Sequence, residues 1–374
     1  MNLTKYKLGD LIVQRREKNN NYDVPIRGVS KEGFIPAKQK DADTSIYNVF
    51  YKYDFVFNPA RMELNSIALN LEYDKALCSS LYEVFYVKDE SIVLPEFLNL
   101  HIKRDEFARH CDYIGLGSAR EYCRFANIAE FDIELPPIEV QEGIVEADRL
   151  IKKRIRLNNQ MIQHLEATAQ ALYRKTFVDN IDKENLPESW RMGTIGDFCK
   201  EMKSGGTPSR SHNEYWDKKD YPWLKTGEVQ NNVIINVEEY ISEEGMKNSS
   251  AKIIPRGSII MAMYGGGTVS NIAYLDCDTT TNQACCNMIC NSKQDAAFLF
   301  FHLRYHQEDI KRLANGGAQE NLSQEVIAQQ PIIIFENNEN KSLFIPLLDN
   351  LIIKYRENEK LTELQSLLLA KMGQ

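Results

Sequence analysis

Leu135 to Ile151 read LPPIEVQEGIVEADRLI, and the change of character within this stretch decides the fold. Pro136 and Pro137 end an extended segment, since proline fixes φ and donates no backbone hydrogen bond. No further proline appears until Pro187. Across that span Ile151, Ile155, Asn158, Ile162, Leu165, Ala169 and Leu172 recur at alternating spacings of four and three, the seam of a coiled coil. Asn158 lies within the seam, where a buried amide costs stability but fixes register. At about 1.5 Å per residue, a helix from near Glu142 to Phe177 measures on the order of 50 Å.

Working outward, the chain says the same thing twice. KLGDL (Lys7 to Leu11) returns as TIGDF (Thr194 to Phe198), and the opening stretch returns in looser form as QPIIIFENNENKSLFIPLLDNLI (Gln330 to Ile352). The second copy lacks the double proline and the clear Gln. A second helix follows it, with a seam of Leu348, Leu351, Tyr355, Asn358, Leu361, Leu364, Leu368 and Met372 and a slip near its middle. Ahead of each helix lies a mixed segment of short β-like runs, such as NVFYKYDFVF (Asn48 to Phe57), SLYEVFYV (Ser80 to Val87), NVIINV (Asn232 to Val237) and GSIIMAMY (Gly257 to Tyr264). Each segment also carries one helix candidate, Pro95 to Cys111 in the first and Ala296 to Ala314 in the second.

The expected fold is α+β: two pseudo-symmetric mixed α/β domains, 1–138 and 181–336, separated by an antiparallel coiled coil of two long helices, 139–180 and 337–374. The simpler alternative packs each amphipathic helix on its own domain. A chain of 374 residues suits two domains. With 43% hydrophobic and 26% charged residues it reads as soluble and globular, with no apolar run near the ~20 residues of a membrane span. The expected location is cytoplasmic, with the eight cysteines as reduced thiols. A net charge of −8 argues against nonspecific adhesion to nucleic acid but leaves a basic face possible.

Several stretches, taken in order, carry a resemblance. They are the Leu135, Pro136, Pro137 and Gln141 signature, FVFNPARM (Phe55 to Met62), CSSLYEVF (Cys78 to Phe85) and GLGSAREYCRFANIAEFDIELPP (Gly115 to Pro137). In the second copy they are SGGTPSRSHNEYW (Ser204 to Trp216), YPWLKTGEV (Tyr221 to Val229), TTNQACC (Thr280 to Cys286) and NGGAQENLSQEVI (Asn315 to Ile327). Over nearly its whole length the chain resembles the specificity subunit of type I restriction-modification systems. The resemblance implies a non-catalytic subunit that reads double-stranded DNA, each target-recognition domain taking one half of a bipartite asymmetric target. It also implies two methyltransferase subunits, with restriction subunits joining through the complex, and S-adenosylmethionine, ATP and Mg on those partners. The chain's own residues agree. FNPAR (Phe57 to Arg61) lacks the second proline and aromatic of an adenine-gripping motif, and YGGGTVS (Tyr264 to Ser270) lacks the lysine of a phosphate loop and reads as a tight turn. A non-catalytic protein-binding scaffold with paired helices is the alternative.

Candidate DNA contacts are Arg15, Arg16, Lys18, Asn58, Arg61, Arg120, Lys203, Thr207, Arg210, Lys218 and Lys219, because Arg can grip guanine, Asn or Gln adenine, and Lys phosphate. Asn282, Gln283, Gln319 and Asn321 read more as structural amides, with a helix opening at Ser323. Cys277, Cys285, Cys286 and Cys290 lack paired metal-ligand spacing, and adjacent Cys285 and Cys286 point to opposite faces of a strand, so no metal is expected. His302 and His306 read as an ordinary helix surface.

Overall fold

The computed structural model describes residues 3–31, 33–37, 43–115, 122–179, 181–182, 185–265, 267–314, 321–335 and 339–372. It divides into two compact units, Met1–Lys153 with Thr362–Gln374, and Arg154–Leu361.

Unit 1 opens with β1 (Thr4–Lys7), α1 (Leu8–Leu11) and β2 (Ile12–Arg15). Then come β3 (Arg27–Ser30), β4 (Gly33–Pro36), β5 (Asn48–Tyr51), β6 (Phe55–Phe57), β7 (Ile67–Leu69), β8 (Lys75–Cys78) and β9 (Glu83–Val87). It continues through α2 (Pro95–Ile102), α3 (Asp105–Gly115), α4 (Phe125–Ala129) and β10 (Asp132–Leu135) into the long α5 (Ile138–Phe177). The main sheet has the order β2-β9-β6-β7; β3 and β4 form a separate ribbon, and β5 pairs with β8. Alternation sends Phe55, Phe57 and Phe85 into one core and Val56 and Val84 into another, with the Phe55 and Phe85 rings stacked at 4.7 Å.

Unit 2 runs β11 (Trp190–Thr194), α6 (Ile195–Phe198), β12 (Glu201–Ser204), β13 (Tyr221–Leu224), β14 (Asn232–Ile234), β15 (Glu239–Ile241), α7 (Glu243–Lys247), β16 (Ile259–Ala262), β17 (Ile272–Leu275), β18 (Thr280–Thr281) and β19 (Cys285–Ile289). After these come α8 (Lys293–Tyr305), α9 (Gln307–Lys311), α10 (Gln324–Ala328), β20 (Pro331–Phe335), α11 (Glu339–Ser342) and α12 (Ile345–Lys371). Its sheet has the order β12-β19-β16-β17-β14, flanked by β15-β13-β18. Both helix candidates split. α2 gives way to α3 at Lys103, and His306 both ends α8 and precedes α9.

The doubled motif is a doubled frame. In unit 1 the first strand pairs antiparallel with the last, Thr4 opposite Leu135, and Leu8 N–H donates to Phe131 O at 2.8 Å. In unit 2 Trp190 lies opposite Phe335, and Ile195 N–H donates to Gln330 O at 2.9 Å. The glycine of each motif meets an alanine of the short helix before the last strand. A Cβ on Gly9 would lie 3.0 Å from Ala129 Cβ, and one on Gly196 3.5 Å from Ala328 Cβ. At Gly9 the approach is tight enough that a side chain would have to push Ala129 aside, whereas at Gly196 the distances are ordinary contacts.

The long helices run antiparallel wherever they meet within a unit. In unit 2 Arg154 pairs with Glu357, and further along α5 Tyr173 meets Phe344, with ring centroids 6.3 Å apart. Ile162, Ala169, Tyr173 and Phe177 share one core with Phe344, Leu348, Leu351 and Ile352, and Leu165, Leu172 and Tyr355 pack against it. Asn158 is buried and its Nδ2 donates to Asn358 Oδ1 at 2.9 Å, while Asn358 donates to Asn159 at 2.8 Å. Ile155 and Leu361 are half-buried. In unit 1 Ile151 is buried, and Met372 and Leu369 join the core that Ile144 and Val145 touch.

Three expectations are corrected. Leu364 leaves the seam, 52% exposed. The pattern steps four residues from Leu361 to Gln365, whose amide donates to buried Asp148 at 2.7 Å, and then to the half-buried Leu368 and Leu369. The last helix begins at Ile345, with Pro346 in its first turn, after the separate turn α11. His302 is core rather than surface, because α8 is buried on nearly every side; the His302 ring meets the Tyr173 hydroxyl at 2.6 Å.

Candidate nucleic-acid interface

The arginines expected to read DNA fall into two groups. Arg15, at the end of β2, forms a two-pronged ion pair with buried Asp54 at 2.6 and 3.0 Å. Its guanidinium lies 4.8 Å from the Tyr51 ring centre and 4.6 Å from that of Tyr86. Arg210 repeats the arrangement in unit 2, paired with Glu239 at 2.6 Å and set 3.5 Å over Trp216 and 4.9 Å over Trp223. Both are anchored between aromatic faces and a carboxylate, so each guanidinium already has partners within the fold.

Arg61 differs. It is exposed on the 3-10 turn Pro59–Leu64 and has no side-chain partner among the described residues. Asn58 caps that turn, its side-chain oxygen accepting Ala60 N–H at 3.1 Å. Both line a groove of about 510 Å³ against β3 and β4, which Arg27, Ser30, Lys31 and Tyr82 also line. Arg27 and Lys31 escaped the sequence reading. The signal was the run RGVSKEGF around Gly33, whose φ of +119° suits a hairpin bend.

Other candidates are dispersed. Arg16 is exposed and bonds Gln14 at 2.8 Å, and Lys18 bonds Asn48 at 2.7 Å. Lys203 pairs with Glu201 at 3.2 Å on β12, and the Thr207 hydroxyl donates to exposed Gln283. Lys218 and Lys219 are exposed, the latter 5.4 Å from the Tyr240 ring centre. Arg120 and Gln319 lie outside the described residues. Asn282 ties its own turn together, accepting from Ala284 N–H at 3.2 Å, and Ser323 caps α10. Cys285 and Cys286 face different cores of β19, and burial pushes the Cys285 thiol up to about 12. Among the described residues no group of three or more His, Cys, Asp or Glu is placed to hold a metal, and no helix is long and apolar enough to cross a membrane.

The frame and its helices now have a counterpart among known proteins. A family model described as "Type I restriction modification DNA specificity domain" matches residues 3–167 and 187–364. The chain belongs to this family. Its two matched segments each span one copy of the doubled frame. The type I restriction enzyme HindI specificity subunit of Haemophilus influenzae is 24% identical over 362 residues, covering 75% of this chain and 77% of that protein. The EcoR124I/EcoR124II specificity subunit of Escherichia coli is 26% identical over 171 residues, 45% of this chain and 41% of that one. The crystal structure of a type I restriction-modification system S subunit from M. genitalium has a TM-score of 0.60 at 15% identity, covering 100% of this chain and 96% of that one; it shows a shared fold. As a specificity subunit, the chain is the recognition component of such a system and not its catalyst.

Proposed function

We propose that this specificity subunit reads a bipartite, asymmetric DNA target, with unit 1 taking one half and unit 2 the other. The observation that carries this is the doubled frame with unlike surfaces: the same strand pair, glycine turn and helix start recur, while the sheets between them differ in order and sequence. Equal frames suit equivalent docking to two turns of a duplex. Unlike surfaces suit unequal words, with groove faces recurring every ~34 Å along the helix axis.

On this reading the division at 1–138, 139–180, 181–336 and 337–374 is one of labour, recognition alternating with helical spacer. The helices also present apolar residues that their own seam leaves exposed. Leu150, Leu157 and Met161 lie seven and four positions apart along α5, and Leu364 and Leu367 lie on α12. Such stripes suit docking of two methyltransferase subunits, which would carry S-adenosylmethionine, with ATP and Mg on restriction subunits that join through the complex.

The test is methylation mapping of a random-sequence duplex library by this chain with its cognate methyltransferase subunit. Two short words separated by unread bases are expected. A matched four-residue insertion, after Gln160 and opposite it in α12, adds ~6 Å and is expected to widen the gap by about two base pairs. A continuous motif, or a gap unchanged by the insertion, would refute the ruler. Absence of DNA recognition in the complex would favour a protein-binding scaffold.

A further inference from the structure

We propose that the groove between the β3–β4 ribbon and the turn Pro59–Leu64 is the base-reading cleft of unit 1, in which Arg61 specifies a guanine and Lys31 holds a neighbouring phosphate. This rests on the specificity-subunit reading and adds the residue and the base.

Acidic residues outnumber Lys and Arg by 53 to 45 in this chain, yet among the described residues the groove is lined by Arg27, Lys31 and Arg61 and by no carboxylate. An anionic occupant is what such a lining complements. Asn58, Ser30 and Ser79 also line it, polar residue types that base edges and phosphate oxygens engage.

The three cations differ in what already holds them. Arg27 is committed, its Nε donating to the Tyr73 hydroxyl at 2.8 Å and one terminal nitrogen to Ile26 O at 3.0 Å. It contributes charge but no unengaged fork. The Arg61 guanidinium has no partner among the described residues, and a planar guanidinium can grip O6 and N7 of guanine with two parallel hydrogen bonds. Lys31, at the bend of the ribbon, offers a single point charge that suits phosphate.

Asn58 caps the turn that bears Arg61, and the adjacent Met62 is 1% exposed. Asn65 closes the turn in the left-handed region at φ 52°. Ser66 then donates its hydroxyl to Val29 O in β3 at 3.0 Å, so ribbon and turn are cross-tied. A recognition side chain needs such a fixed base, since a loosely held one loses discrimination. A two-stranded ribbon is also an element that the major groove of B-DNA admits.

The test compares wild type, Arg61→Ala, Arg61→Lys and Lys31→Ala, each as full chain with the cognate methyltransferase subunit on a random-sequence duplex library. Arg61→Ala is expected to relax the motif at one G·C pair in one word by roughly 10- to 100-fold, leaving the other word intact. Arg61→Lys should keep overall affinity while losing most of that discrimination. Lys31→Ala should leave the motif unchanged, weaken binding to all sequences and lower the slope of log affinity against log salt by about 1. An unchanged motif for Arg61→Ala, with wild type active, would overturn this assignment alone. Relaxation in both words, or a uniform affinity loss, would place Arg61 on the backbone and overturn it as well. A wild-type complex that methylates no defined motif would overturn both this inference and the function on which it rests.

Discussion

Gln141 and Lys341 do the same job in the two units with different chemistry. Gln141, 0% exposed at the start of α5, accepts Leu94 N–H at 3.1 Å just ahead of α2 and donates to Ile92 O and Pro136 O, each at 2.9 Å. Lys341, buried in α11, reaches the first turn of α8, where it binds Asp295 at 2.6 Å and lies 5.3 Å from the Phe198 ring centre. One latch is a neutral amide with its hydrogen bonds made; the other is a buried ion pair. The frame therefore requires a tie between the incoming helix and the helix beneath it, not a particular residue. This is why the second copy of the proline segment loses its Gln without losing the architecture.

The sharpest way to break that equivalence is to cut each latch. Lys341→Ala leaves the Asp295 carboxylate buried and unpaired and is expected to destabilise unit 2 by about 3 to 5 kcal/mol. Gln141→Ala strands neutral groups and should cost unit 1 about 1 to 3 kcal/mol. Differential scanning calorimetry of the two variants measures both. Equal losses would mean that the ion pair behaves as an ordinary hydrogen bond, and Lys341→Met with Asp295→Ala should recover most of the loss.

The histidines of α2 and α8 offer a second contrast. Burial, with Arg104 nearby, pushes His101 down to about 4, while burial holds His302 well below the ordinary 6.5. Each is neutral when folded, whereas the unfolded chain binds a proton near pH 6.5. The stability tied to neutrality is therefore complete above pH 6.5 and is lost as pH falls. For His101 the loss runs from 6.5 to about 4 and totals roughly 3 kcal/mol. At pH 7 the two should separate. Among the described residues His101 Nδ1 has no hydrogen-bond partner and Nε2 meets Arg104 at 3.4 Å, so His101→Leu should cost about 1 kcal/mol or less there and lessen the acid sensitivity. His302→Leu deprives the Tyr173 hydroxyl of its partner and should cost about 1 to 3 kcal/mol. Melting temperatures of both variants between pH 7.5 and 4.5 decide this, and a steep acid loss unchanged by His101→Leu would remove His101 as its source.

The smallest effect tests the glycine turns. Gly9→Ala must push Ala129 aside and is expected to cost about 1 kcal/mol, whereas Gly196→Ala meets ordinary contact distances and should change stability by less than about 0.5 kcal/mol. Urea midpoints would show it, and reversed ranks would mean that the two turns are not held alike.

Much of the frame was legible because its signals are local. Proline at the head of a heptad run, the repeated Gly-Asp turn and Ser323 as a cap each act within a few residues, and α5 and α10 start where those signals lie. The expected seam departs from the structure at Leu364, where apolar spacing favoured a leucine while the buried Asp148 draws Gln365 inward instead, a partner 217 positions away.

By itself the sequence determined the doubling, the two long helices, the mixed α/β character of what precedes each, and the family to which these belong, because propensity, periodicity and motif spacing are properties of neighbouring residues. Only the tertiary structure decided which of three candidate arginines keeps its guanidinium without a partner among the described residues. Arg15, Arg61 and Arg210 are equally basic in a string of letters. Partners such as Asp54, 39 positions on, and Glu239, 29 positions on, occupy the first and the last, and the chain has to fold before such distant charges can meet.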